Sequence, residues 1–216
     1  MKTPNYKNTE IISVNYNTPE LIDQLLTSIR LFYPNFKNIR IIDGTDNNNL
    51  LLQTKHIVMK HKVNMDIFKY NIHHGPGMHY GIISSKFDYI LIFDSDAIII
   101  KDGILEKYFE SWEDGLYAMG NISYVNYFGI NPEKDATIPD DSYPIMYCHP
   151  NGLFIKKEMY SNYAPFVRHG APVIATMYDI YLKNLSNKSL KDISDIQKIY
   201  LNRGGRGTVN KYGYNL

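Results

Sequence analysis

The chain of 216 residues is 44% hydrophobic and 21% charged, an ordinary globular balance that argues against a disordered chain. Its formal net charge of +1 sets up no global field toward nucleic acid or anionic lipid, so no nucleic-acid partner is expected. One cysteine, Cys148, excludes an intrachain disulfide framework and fits a reducing compartment.

The polar start, Met1 to Glu10, lacks the apolar core of a signal peptide, and no apolar run approaches the ~20 residues that span a bilayer. The expectation is a soluble, cytoplasmic protein with no integral membrane segment, either whole or a module of a longer chain. Aromatic residues make up 13%, with 19 tyrosines. Tyrosine and asparagine line carbohydrate sites through ring stacking and amide hydrogen bonds, and an AT-rich genome produces the same bias.

Ile11 to Tyr16 reads as a strand. Thr18 is placed to cap a helix, Pro19 suits its first position, and Leu21, Ile22, Leu25, Leu26, Ile29 and Phe32 follow at helical spacing. Ile39 to Ile42 is a second strand, running into Asp43-Gly44-Thr45-Asp46. A helix over Leu50 to His61 and a strand over Met65 to Tyr70 come next. The glycine-rich stretch His74 to Gly81 leads through a short helix, ending at Lys86, into Tyr89-Ile90-Leu91-Ile92-Phe93. That last run is apolar throughout, as a strand covered on both faces requires.

In the second half Leu116 to Gly120 and Leu153 to Lys156 read as strands around a long polar loop, and Val173 to Leu185 reads as a helix. The alternation over the first hundred residues implies an α/β fold with a central, mostly parallel sheet flanked by helices. Ligands of such sheets sit beyond the carboxyl ends of the strands. Asn15-Tyr16-Asn17, Asp43 to Asp46 and Asp94-Ser95-Asp96 all fall at such ends.

Two aspartates one residue apart at a strand end suit a hard cation, Mn²⁺ or Mg²⁺, whose shell is completed by phosphate and water oxygens. Such an ion neutralises a diphosphate leaving group. The same spacing also arises when one aspartate caps the next helix and the other is solvated. Ile92-Phe93-Asp94-Ser95-Asp96 further resembles the first motif of haloacid-dehalogenase-type phosphatases, with Asp94 as nucleophile, although three strand-like segments precede it here and Ile98 stands where threonine or valine is usual.

Taken in order, these segments resemble the GT-A-fold glycosyltransferases, closest to the inverting family 2 in a compact form found among small viral and bacterial enzymes. Ile11 to Asn17 is similar to the family's first strand, Ile41 to Asp46 to its second, with one residue fewer, Asn71 to Ile82 to the stretch before the metal strand, with His79 in place of asparagine, and Phe93 to Asp96 to the metal motif. The resemblance implies a single GT-A domain over 1–216, with a nucleotide-sugar half (1–100) and an acceptor half (101–216). It implies a nucleotide-sugar donor, UDP-linked by preference, and a glycan, glycoprotein or glycolipid acceptor. Asp94 and Asp96 would hold the metal, and Asn15, Tyr16, Asn17, Asp43, Gly75, Gly77, His79, Asp94 and Ser95 would contact the donor.

An inverting transfer needs a general base. Asp179, near the start of the late helix, matches the family's base in separation and is read as that base, the alternative being a helix-dipole role. Asp140 and Asp141 are the fallback. Arg203 and Arg206 among glycines suit a diphosphate clamp, and Asn151 and Gly152 an acceptor loop. Trp112 is read as a core residue, and adjacent His73 and His74 are not read as a metal cluster, since neighbouring histidines rarely reach one ion. A non-catalytic nucleotide-sugar or glycan-binding domain is the remaining class.

Overall fold

The computed structural model describes residues 3–130 and 144–203. The first half alternates strictly: β1 (Thr9–Asn15), α1 (Pro19–Phe32), β2 (Ile39–Asp43), α2 (Asn48–His61), β3 (Asn64–Ile67), α3 (His74–Ser84), β4 (Tyr89–Ile92). Then come β5 (Ala97–Ile99), α4 (Ile104–Ser111), β6 (Ala118–Gly120), β7 (Ile122–Val125), β8 (Ile145–Cys148) and β9 (Leu153–Lys156). The described chain ends with α5 (Lys157–Tyr160), α6 (Ile174–Leu182), α7 (Ser186–Ser189), β10 (Leu190–Asp192), α8 (Ser194–Tyr200) and β11 (Leu201–Arg203).

Seven strands form one sheet in the order β10-β6-β9-β4-β1-β2-β3. All neighbours are parallel except β9, which runs antiparallel to both β4 and β6. Beside it lie two ribbons, β7 with β8 and β5 with β11.

The apolar strands bury both faces, and each face has its own core. Ile11, Ile41, Tyr89 and Leu91 turn toward α1, α2 and α4, while Ile12, Ile90, Ile92 and Ile155 turn toward α3 and α6. This is the period of two of a pleated strand, written in a sequence apolar at every position. Trp112 belongs to the first core, packed edge-on to Tyr89 and Phe154, as expected for a lone tryptophan.

Three elements depart from the sequence reading. The third strand stops at Ile67: the Phe68 N–H makes the last ladder bond, to the Asp43 carbonyl at 2.9 Å, and Lys69 then takes a left-handed φ of 58°. The glycine-rich stretch is not a loop before a helix but the helix α3 itself. Its missing Cβ atoms explain why: one on Gly77 would stand 2.8 Å from Val14, and one on Gly81 2.7 Å from Ile12, so the helix lies directly on β1. Thr18 occupies the cap position of α1, yet its hydroxyl donates to Asn15 Oδ1 at 2.7 Å instead of capping the helix.

Candidate active site

At the carboxyl ends of β1 and β2 the first polar cluster closes into a network. Asn15 donates from Nδ2 to Asp43 Oδ1 at 2.7 Å and to Thr45 Oγ1 at 3.3 Å. The Thr45 hydroxyl donates to the same Asp43 oxygen at 2.7 Å and accepts the Asn17 N–H at 3.1 Å. Above this buried layer, Tyr16 Oη and Asn17 Nδ2 each donate to Asp46 at 2.9 Å, and these bonds hold its carboxyl below the usual range. Asn17 reaches Asp46 from a left-handed φ of 54°, which asparagine tolerates better than most residues.

Asp43 is fully buried, and its Oδ2 has no hydrogen-bond partner. Burial raises its pKa, and the hydrogen bonds from Thr45 and Asn15 only partly offset that. A buried carboxyl oxygen without a partner is costly to keep, and a ligand N–H or O–H would satisfy it.

Two strand spacings away, roughly 10 Å, β4 ends in the second cluster. Asp94, Ser95 and Asp96 make the tight turn into β5, closed by the Ala97 N–H on the Asp94 carbonyl at 3.0 Å. Ser95 is buried beneath the two partly exposed aspartates. The turn is held from below by the loop before β9. Buried Asn151 accepts the Asp94 N–H on Oδ1 at 3.3 Å, and Gly152 donates to the Ile92 carbonyl at 2.8 Å. The Gly152 carbonyl in turn accepts from Tyr108 Oη at 2.7 Å and Gln197 Nε2 at 2.8 Å. With φ of 80° and both of these atoms 2.6 Å from where a Cβ would be, this position admits glycine alone. Asn151 and Gly152, expected on the acceptor side, therefore build the floor of the aspartate turn.

His74, the first residue of α3, brings Nε2 to 3.3 Å from Asp94 Oδ1. Tyr147 lies close enough for the Asp94 charge to add to burial in pushing its phenol upward, and it receives a backbone hydrogen bond from Val173, just before α6. The sequence reading passed over Tyr147 and weighed His74 only as half of an adjacent histidine pair, not as a neighbour of Asp94. Only the fold shows that proximity, since neither spacing nor residue type marks it.

The other expected donor contacts are placed differently. His79 has Nδ1 2.9 Å from Tyr160 Oη, on the α5 side of α3. Gly75 faces the backbone of Arg168, where a Cβ would stand 2.3 Å from the carbonyl oxygen. Gly75 and Gly77 thus serve close packing. Asp179 accepts the Ala164 N–H at 3.1 Å and pairs with Lys183 at 3.1 Å, so no contact joins it to the aspartate turn. The Arg203 backbone pairs with Ala97, one residue beyond Asp96. Arg206, Asp140 and Asp141 lie outside the described residues.

Among the described residues no group of three or more His, Cys, Asp or Glu side chains forms a metal cage. The Asp94–Asp96 turn still fits a hard cation, because two carboxylates on one turn need only phosphate and water oxygens to complete the shell. No described helix is long and apolar enough to cross a membrane.

The mixed sheet with its antiparallel β9, together with a carboxylate turn at the end of β4, defines the GT-A fold of nucleotide-sugar transferases. The family model of glycosyl transferase family 2 matches residues 10–171, and the chain belongs to that family. A search of curated protein sequences returns no match. Among solved structures, the mannosyltransferase PcManGT from Pyrobaculum calidifontis, in complex with GDP-Man and Mn²⁺, is similar with a TM-score of 0.59 at 11% identity, covering 88% of this chain and 55% of that one. TarS 1–349 of S. aureus is similar at 0.56 and 13%, covering 90% and 59%. The mannosyl-3-phosphoglycerate synthase of Rubrobacter xylanophilus is similar at 0.58 and 13%, covering 86% and 64%. The chain thus spans a little over half the length of these proteins, and the likeness is one of fold.

Proposed function

We propose that this chain transfers a sugar from a nucleoside-diphosphate donor, UDP-linked by preference, to an acceptor hydroxyl. The observation that carries the reading is Asp43. A fully buried carboxyl with one satisfied and one unsatisfied oxygen, framed by Asn15 and Thr45, is built to accept from a base N–H or a ribose hydroxyl. The aspartate turn two strands away would then take the diphosphate of such a donor. Family membership favours this reading over a phosphatase with Asp94 as nucleophile.

In this reading Asn15 and Thr45 orient Asp43, and Tyr16, Asn17 and Asp46 form the outer wall against the nucleoside. Asp94 and Asp96 would hold Mn²⁺ or Mg²⁺, which supplies charge neutralisation for the departing diphosphate. Asn151 and Gly152 keep those carboxylates in register, and Arg203, on the strand beside them, is a donor for the phosphates. Asp179 is carried as the general base of an inverting transfer because it lies on α6, the helix that packs on β8 and begins beside Tyr147. As a base it must exchange Lys183 for the acceptor hydroxyl. The acceptor is a glycan or a glycan-bearing protein or lipid.

The test is a panel of nucleotide sugars with and without Mn²⁺, read as melting temperature. A donor and metal that raise it together support the reading, through preferential binding to the folded state. A flat panel overturns it. Asp179→Asn then separates enzyme from binder: a base gives a loss of roughly 10²–10⁴-fold in kcat with donor affinity retained.

A further inference from the structure

Three histidines gather on the lip beside Asp94, and the transfer scheme above gives none of them a task. His74 approaches Asp94 with Nε2 at 3.3 Å. His73, just before α3, meets His169 edge-on with ring centroids 5.5 Å apart. Burial lowers the pKa of His169, and the nearby His74 and His73 lower it further, so both rings lie close to His169.

The segment carrying His169 is pinned in place by backbone. Gly75 donates to the Arg168 carbonyl at 2.9 Å, and its lack of a Cβ is what permits that approach. His73 itself stands at φ 64° and ψ 160°, a region that is almost entirely glycine's. Its N–H is held by Asn71 Oδ1 at 2.9 Å and its carbonyl by the Gly77 N–H at 3.0 Å. Glycine would make the same turn without strain, so the imidazole is the feature the strained backbone retains.

Two ligand chemistries compete for such a cluster. A transition metal is disfavoured because adjacent His73 and His74 do not reach one ion and the described residues form no three-ligand group. A multi-oxygen anion suits it better. Imidazole N–H groups donate to phosphoryl oxygens whether neutral or charged, and Arg168 is exposed in the same segment. Asp94 faces the cluster through His74.

We propose that His73, His74 and His169, together with Arg168, form a phosphoryl-binding subsite at the lip beside Asp94. It rests on the glycosyl-transfer reading for one of its two sources, the diphosphate of the donor. The other source is a phosphate carried by the acceptor.

Calorimetric titration of the full chain distinguishes them, with uridine, UDP and glucose 6-phosphate as probes against wild type, His169→Ala and His73→Gly/His169→Ala. A donor source predicts about a tenfold or greater loss of UDP affinity in the double variant with uridine unchanged. An acceptor source predicts the loss for glucose 6-phosphate with UDP unchanged. Both variants alter exposed side chains, and a melting temperature at or above wild type certifies the fold. Unchanged affinity for both phosphorylated probes overturns the subsite while leaving the transfer reading intact. Glucose 6-phosphate binding that the double variant loses, in a protein blind to every nucleotide sugar, overturns the transfer reading and leaves the subsite standing. If wild type binds neither phosphorylated probe, the subsite falls, and the transfer reading rests on the nucleotide-sugar panel alone.

Discussion

Single residues here carry charges and backbone strain that make measurable predictions. Arg40 is buried and forks onto Glu10 through Nε at 3.2 Å and Nη2 at 3.0 Å, while its other nitrogen reaches Asp66 at 2.9 Å. It also donates to the Gly81 carbonyl and the Ser84 hydroxyl, so one guanidinium ties β1, β2, β3 and α3 together. Arg40→Ala leaves Glu10 buried without its partner, and a loss of about 3–5 kcal/mol in urea unfolding is expected. Arg40→Met with Glu10→Leu removes the stranded charge and should recover most of it. His73→Gly should act in the opposite direction, gaining about 1–3 kcal/mol in the same assay as the backbone strain is released.

Asp43 adds a pH signature. Its folded pKa lies above the unfolded value because burial opposes ionisation. The folded state therefore binds that proton more tightly, so the stabilising contribution is complete below about pH 3.9 and is lost as pH rises through the raised value. Asp23 and Asp46 are lowered and work with the reverse sign, losing stability as pH falls. Subtracting the urea midpoints of Asp43→Asn from those of wild type between pH 4 and 7 isolates the Asp43 slope. A difference that does not decline with rising pH would contradict the burial argument.

Among the elements, β9 decides the geometry of the aspartate turn. Its preceding loop supplies Asn151 under Asp94 and Gly152 under Ile92, and its strand fills the sheet between β4 and β6. Gly152→Ala forces a Cβ against Gln197 and Tyr108 at a positive φ, and Asn151→Ala strips the Asp94 N–H of its acceptor. Both should weaken the joint stabilisation by Mn²⁺ and nucleotide sugar more than nucleoside binding alone, measured as melting shifts with each ligand separately. Equal loss of both would mean that the loop supports the whole sheet and not the turn.

The sequence showed β1, β2 and β4 because their apolar runs are continuous and their ends polar, whereas β3, Asn64-Met65-Asp66-Ile67, carries no such run and its end was misplaced. It showed Asp43, Asp94 and Asp96 because a carboxylate closing an apolar strand stands out. It did not show what Gly75, Gly77, Asn151 and Gly152 touch, since a glycine that packs and a glycine that admits a ligand look alike in one dimension. Tyr147, and the place of His74 at Asp94, stayed hidden for the same reason: that proximity is made by helix docking and a remote ribbon, not by spacing along the chain.

For the whole molecule, the proposed donor and acceptor halves have no mechanical boundary between them. β4 pairs with β1 on one side and β9 on the other, so the sheet crosses the boundary near residue 100 without a seam. The core under α1 crosses it too, because Tyr89 stacks on Phe154 and both meet Trp112. Cutting after residue 102 would bare the free edge of β4 and the apolar faces of Tyr89 and Leu91, an aggregation-prone surface. A fragment of residues 1–102 should therefore fail to fold. The intact chain offers a direct readout, since Trp112 is its one tryptophan and sits at that junction. If the halves unfold together, urea curves from tryptophan fluorescence and from far-ultraviolet circular dichroism superimpose as a single two-state transition. Separated midpoints would show instead that the acceptor half moves as its own unit against the donor half, and Asp179 would then reach the aspartate turn by a hinge and not within a rigid cleft.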